Sequence, residues 1–205
     1  MPEAAGGEVL ATRVAFLELK DERRLVQEGY ELLDEKRVLL ATEIMRQLRR
    51  HGTLQAEIAR LEAAALAALE AAVAMHGLDS LTVEPKLDLG SALLGVHEVS
   101  FLGLRLVEAQ LEDGTARAAH AVVPTTPEAR ACALAYRRLV SHHAGLAACD
   151  TSLRRLMREY VRTERRARAL ENVVLPEIDT TLRFIEEQLD ALDQEEAVRV
   201  RNAAA

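Results

Sequence analysis

Apolar residues return at steps of three and four along most of this chain, and two long stretches with that rhythm flank a middle in which it is lost. Between about Thr12 and His76 there is no proline, and Leu19, Val26, Leu33 and Leu40 recur every seventh residue, joined by Tyr30 and Ile44. Leu25, Leu32 and Leu39 widen that apolar face, and Leu54, Ile58, Leu61, Leu69 and Val73 carry a similar stripe onward. This period is that of a helix with one face sheltered from water. About 65 residues at about 1.5 Å each predict a rod of roughly 100 Å. His51-Gly52-Thr53 is the expected place for a bend or break.

From Gly77 to Thr126 the texture changes. Pro85 and Pro124, with Gly77, Gly90, Gly95, Gly103 and Gly114, puncture any long helix. Gly95 to Phe101 and Arg105 to Leu111 partly alternate and are separated by Leu102-Gly103-Leu104, which predicts a hairpin. Ala118 to Val123 is a candidate third strand after the Glu112-Asp113-Gly114 turn.

A second helix start follows at Thr126-Pro127-Glu128, which supplies an N-cap, a first-turn proline and an early acid. Beyond it Leu146, Cys149, Leu153, Leu156, Tyr160, Thr163, Ala167, Leu170 and Val174 alternate steps of three and four, a heptad seam bordered by Arg and Glu. The seam continues as Ile178, Leu182, Ile185, Leu189 and Leu192, but its phase slips beside Pro176 in the manner of a stutter. Either one helix passes Pro176 with a kink, which the uninterrupted stripe favours, or a separate helix starts there.

An apolar stripe of this length is driven to find a partner, at roughly 25 cal/mol for each Å² of apolar surface removed from water. The nearest one is the other end of the same chain, with a homodimeric coiled coil as the rival. The expected fold is therefore mainly α: a long antiparallel two-helix coiled coil of an N-terminal arm (1–76) and a C-terminal arm (127–205), with a small hairpin-bearing head (77–126) between them.

Composition agrees, since aromatics make up 3% of the 205 residues while apolar residues reach 49%, as in long helices. The net charge of −7 is spread with both signs interleaved, which argues against nucleic acid. No signal peptide and no membrane span is expected, because the most apolar run, Ala59 to Met75, carries Glu62 and Glu70; a cytoplasmic location follows. Cys132 and Cys149 are expected as free thiols, and His142-His143 diverge by about 100° on a helix, so neither metal nor cofactor is expected.

Catalytic motifs do not emerge. Leu89-Gly90-Ser91-Ala92 lacks the second glycine of a nucleophile elbow, and neither a phosphate loop nor a dinucleotide fingerprint occurs. Glu186-Glu187 and Glu195-Glu196 sit among basic neighbours as a solvated helix surface would. A helical-bundle enzyme would need acids or histidines converging on the seam, and the seam has none.

The arms resemble a known family. Ala11-Thr12-Arg13-Val14, Phe16-Leu17-Glu18-Leu19-Lys20, Gly29-Tyr30-Glu31-Leu32-Leu33 and Glu35-Lys36-Arg37, then Thr163-Glu164-Arg165-Arg166, Ala169-Leu170-Glu171, Val173-Val174-Leu175-Pro176, Arg183-Phe184-Ile185 and Glu195-Glu196, are similar in order and spacing to the D subunit, the central rotor shaft of V-type and A-type rotary ATPases. The chain departs from it at Ala11, usually Pro, at Arg168, usually Asn, and in a tail poorer in Lys and aromatics.

The resemblance implies a non-catalytic shaft that passes torque between a ring of A and B subunits and the ion-translocating membrane rotor. It further implies binding to the small F subunit and seating through a funnel-like subunit, peripheral to the membrane. In that reading the seam of Leu19, Val26, Leu33, Leu40, Leu153, Leu156, Tyr160, Leu170, Val174, Ile178 and Ile185 supplies stiffness, and Arg165, Arg166 and Arg168 present charge to the ring. A free-standing coiled-coil scaffold or adaptor is the alternative that the periodicity alone also permits.

Overall fold

The computed structural model describes residues 11–81, 93–112 and 126–204. In chain order they form α1 (Arg13–His76), the short α2 (Leu78–Leu81), strands β1 (Leu93–Phe101) and β2 (Leu104–Glu112), α3 (Pro127–Ala169), a π-helical turn (Leu170–Val174) and α4 (Leu175–Ala203). The candidate third strand, Ala118 to Val123, lies outside the described residues.

Both long helices begin on the caps their sequences offer. The Thr12 hydroxyl accepts from the Ala15 amide at 3.1 Å, and the Thr126 hydroxyl accepts from the Ala129 amide at 3.4 Å, so each satisfies an amide that lacks an intrahelical partner. At the far end of α1, Gly77 takes φ 70° and its amide donates to the Val73 carbonyl at 2.8 Å, the left-handed closure that a residue without Cβ adopts at low strain. His76 Nε2 lies 2.8 Å from the Thr126 hydroxyl, so the last residue of α1 meets the cap of α3.

The expected break at Gly52 does not occur: α1 runs through it as regular helix. A glycine inside a helix costs about 1 kcal/mol against alanine, too little to interrupt a helix whose neighbouring turns bury Gln47 and Ile58. The Thr53 hydroxyl donates back to the Arg50 carbonyl at 2.8 Å in the same turn.

Nor does the chain leave the helix at Pro176. Pro176 lacks an amide hydrogen and its ring crowds the carbonyl four residues earlier. The turn before it widens instead, with the Leu175 amide donating to the Leu170 carbonyl five residues back. Helix therefore continues from Pro127 to Ala203, as the unbroken stripe predicts.

The chain divides into two compact units, Met1–Leu39 with Tyr160–Ala205, and Leu40–Glu159. In the first, α1 pairs antiparallel with the C-terminal helices: Arg13 meets Asp193, Arg23 meets Asp179, Gly29 faces Leu170 and Arg37 meets Glu164. In the second, α1 pairs antiparallel with α3, with Gln47 against Cys149, Glu57 against His142 and His76 against Thr126. Many of its buried residues are small, among them Ala65, Ala72, Ala129 and Ala148, which lets the helices approach closely.

The second unit also holds the hairpin. β1 and β2 pair antiparallel from Leu93 opposite Glu112 to Phe101 opposite Leu104. The strands run one to two residues beyond the alternating segments, and Leu102-Gly103 alone make the turn, with φ 48° and 81°. Two positive φ values in a two-residue loop match the right-handed twist of the flanking strands. The outer edge of β2 lies against α3: the Ser152 hydroxyl accepts from the Val107 amide at 2.7 Å and donates to its carbonyl at 3.0 Å, and Arg155 donates to the Arg105 carbonyl at 2.6 Å.

Two glycines give opposite outcomes on substitution by alanine. At Gly52 an added Cβ meets nothing within 4 Å, so Gly52→Ala is expected to raise unfolding free energy by about 0.5–1 kcal/mol in urea titrations. At Gly103, with φ 81°, the same change is expected to lower it by about 1–2 kcal/mol.

Candidate functional site

Long helices offer their faces to whatever packs against them, so the candidate site is the paired seam with the charges that border it. On α1, Leu40 is wholly buried, and Leu19, Val26 and Leu33 are partly so. On the returning helices Leu153, Leu156, Ile178 and Ile185 are buried, while Tyr160, Leu170 and Val174 are partly covered. The seam reaches Leu189; Leu192, its last expected member, is 54% exposed.

Beside the apolar seam of the first unit runs a row of ion pairs between the arms. Arg37 donates to Glu164 at 2.8 Å and also faces Asp34 on its own helix, and Arg168 donates to the same Glu164 at 2.7 Å. Hydrogen bonds from these two guanidiniums, Arg37 first, hold the Glu164 carboxyl below the usual carboxylate range. Arg13 and Asp193 pair at 2.9 Å with both side chains exposed, a geometry worth little in water. These pairs fix which residues stand opposite one another more than they add stability.

The second unit interrupts its apolar seam with a polar layer. Glu43 and Gln47 are buried, and the Glu43 carboxylate accepts from Arg46 at 2.7 Å through both Nε and Nη2 and from Gln47 Nε2 at 2.9 Å. Those bonds, Arg46 leading, keep Glu43 ionised by lowering its pKa against the opposing effect of burial. Cys149 Sγ lies 3.5 Å from the Gln47 carbonyl and 3.6 Å from its Oε1, and burial pushes that thiol's pKa up. A thiol held as the neutral form is a weak nucleophile.

Counting apolar residues along the sequence puts Ile44 in the seam and leaves out Glu43, Gln47 and Ser152. The signal for one of them is present all the same, because Gln47 continues the series of sevens from Leu19 through Leu40.

Arg165, Arg166 and Arg168 all lie exposed on α3. The structure separates them: Arg168 is tied to Glu164, whereas among the described residues Arg165 and Arg166 make no ion pair. His142 and His143 each turn Nδ1 to a carbonyl of the preceding turn, Arg138 at 2.9 Å and Leu139 at 3.0 Å, and point Nε2 towards Glu57 and Glu62 of α1. No helix among the described residues is long and apolar enough to cross a membrane.

Residues 15–205 match the family model described as the ATP synthase D subunit. The chain belongs to that family. The D subunit of the A-type ATP synthase of Methanopyrus kandleri is 28% identical over 95% of this chain and 84% of its own length. That of Pyrococcus horikoshii is 28% identical over 100% and 96%, and the D subunit of the V-type ATP synthase of Thermotoga neapolitana is 25% identical over 94% and 95%. The match spans both arms and the hairpin between them, so the resemblance read from the arm motifs extends along nearly the whole length of these relatives.

Leu156→Ala empties a wholly buried site and is expected to lower unfolding free energy by about 2–5 kcal/mol, whereas Leu192→Ala is expected to change it by less than about 0.5 kcal/mol. The depressed pKa of Glu43 carries a second expectation. Its contribution is fully present above the ordinary glutamate value of about 4.3 and is lost as pH falls through the lower folded value. Glu43→Gln is therefore expected to be less stable than the unsubstituted chain at neutral pH, and the difference between them to shrink below about pH 4. A difference that stays constant across that range in thermal melts removes the charge from the account.

Proposed function

We propose that this chain is the non-catalytic central shaft of a V/A-type ATPase, passing torque between the ring of A and B subunits and the membrane ion-translocating rotor. Its membership of the D-subunit family supports the reading, together with one physical observation: in each unit two helices brace each other antiparallel, and among the described residues helix is continuous from Arg13 to His76 and from Pro127 to Ala203. A single helix bends easily along its length. Two helices locked by a buried seam resist bending because any curvature must slide one side chain row past the other.

In this reading the seam of Leu153, Leu156, Tyr160, Leu170, Val174 and Ile178 supplies stiffness. An asymmetric pair of helices inside a threefold ring presents a different face to each ring position, and the difference in contact energy is what biases the ring's conformations. Arg165 and Arg166 reach towards that wall, while Arg168 shares its charge with Glu164. The partners are the A and B subunits, the F subunit and the funnel-like subunit that seats the shaft on the membrane rotor, in a cytoplasmic position peripheral to the membrane. The free-standing scaffold has no particular observation in its favour.

Arg165→Ala/Arg166→Ala is expected to leave helicity and melting of the isolated chain unchanged and to lower coupled ATP turnover of the assembled complex severalfold. Arg168→Ala is expected to have the smaller effect on turnover. Reconstitution with the A/B ring, followed by ATPase and single-molecule rotation assays, measures both. Absence of the chain from the purified ring complex overturns the shaft reading.

A further inference from the structure

Within the first unit α1 carries apolar residues that its partner helix leaves uncovered. Leu25, Leu32 and Leu39 are 64%, 66% and 45% exposed. Scattered exposed leucines are ordinary on a protein surface, but these stand at intervals of seven. Seven residues fall about 20° short of two full turns, so the three side chains form one column about 10 Å apart along the helix. The seam to the returning helices runs through Val26, Tyr30, Leu33 and Arg37 instead, on another face of the same helix.

A second column accompanies the first. Asp21, Glu28 and Glu35 are exposed and share the seven-residue spacing, each lying three or four residues from a leucine of the first column and so beside it on the surface. Arg24 offsets part of this charge through loose contacts with Asp21 at 4.0 Å and Glu28 at 3.8 Å. The face is thus a heptad strip of leucine with the acid column on one border and Glu22, Gly29 and Lys36 on the other. Such a strip matches a helix with apolar residues at the same period and Lys or Arg on its flank.

We propose that this strip docks one amphipathic helix of a neighbouring subunit, whose apolar face is bordered by basic residues. Charge decides the occupant. A second copy of this chain paired face to face would set the acid column against itself, and an anionic lipid surface would be repelled by it. A basic-flanked helix gains burial of three leucines and opposite charge along the same strip. The inference rests on the reading of the chain as one component of a larger complex.

The test places photoreactive benzoylphenylalanine at position 32 in the full chain, assembles the complex in cells, irradiates it and sequences the cross-linked peptide. The expected adduct is a segment of another subunit with apolar residues every seven and Lys or Arg beside them. An adduct with a second copy, an adduct with an acidic or non-helical segment, or an intact complex without adduct overturns the proposal.

Affinity provides the second arm. Glu28→Lys/Glu35→Lys keeps the leucines and Leu25→Ser/Leu32→Ser/Leu39→Ser keeps the acids, so each removes one half of the strip from an exposed face. Both are expected to weaken binding of the identified partner at least tenfold with melting unchanged, and retention within twofold by both overturns the proposal. If the unsubstituted chain fails to join the A/B ring, the shaft reading falls separately, and the cross-link still reports what covers this strip.

Discussion

The structure depends on shelter for an apolar stripe too long for one helix to hide. A helix with an apolar stripe displays it to water along its whole length, and a second helix of matching period covers it without leaving backbone groups unpaired. Each of the two units solves this in the same way, and everything else in them is arranged around the solution. Caps at Thr12 and Thr126 set where the helices begin, and ion pairs such as Arg37 with Glu164 and the polar contact of His76 with Thr126 set which residues stand opposite one another.

The polar layer of the second unit bears on the same problem from the other side. An all-leucine seam pairs nearly as well when slid by one heptad, because each position then meets another leucine. With Gln47 set against Cys149, sliding by one heptad would part that polar contact, while Glu43 would keep Arg46 and Gln47, its partners on the same helix. The layer gives up some hydrophobic burial and narrows the choice of register. Arg46, 65% exposed at its side chain, lets the charge be met from the solvent edge without a second buried ion.

Much of this is legible in the residues, and the exceptions have physical causes. Periodicity, caps and the hairpin are local signals written at fixed spacings, so Leu153, Leu156, Ile178 and Thr126 fall where the pattern puts them. Gly52 misleads because its local propensity, about 1 kcal/mol, takes no account of the packing on either side of it. Glu43 and Gln47 escape a count of apolar residues because charge and amide suggest surface, although Gln47 continues the seam. The two-residue turn is tighter than its three spacer residues imply, since Leu102 accepts φ 48°, a conformation few apolar side chains adopt.

The π turn at Leu170–Val174 has a geometrical outcome of its own. At about 100° per residue, each four-residue step of the seam overshoots a full circle by about 40°, and three such steps follow Leu170. In a regular helix the stripe would wander away from its partner. One widened turn takes up the excess, so Ile178, Leu182 and Ile185 come back to face α1. The azimuth of every later side chain, including those of the exposed terminal turns, is therefore indexed by a single additional residue beside a proline.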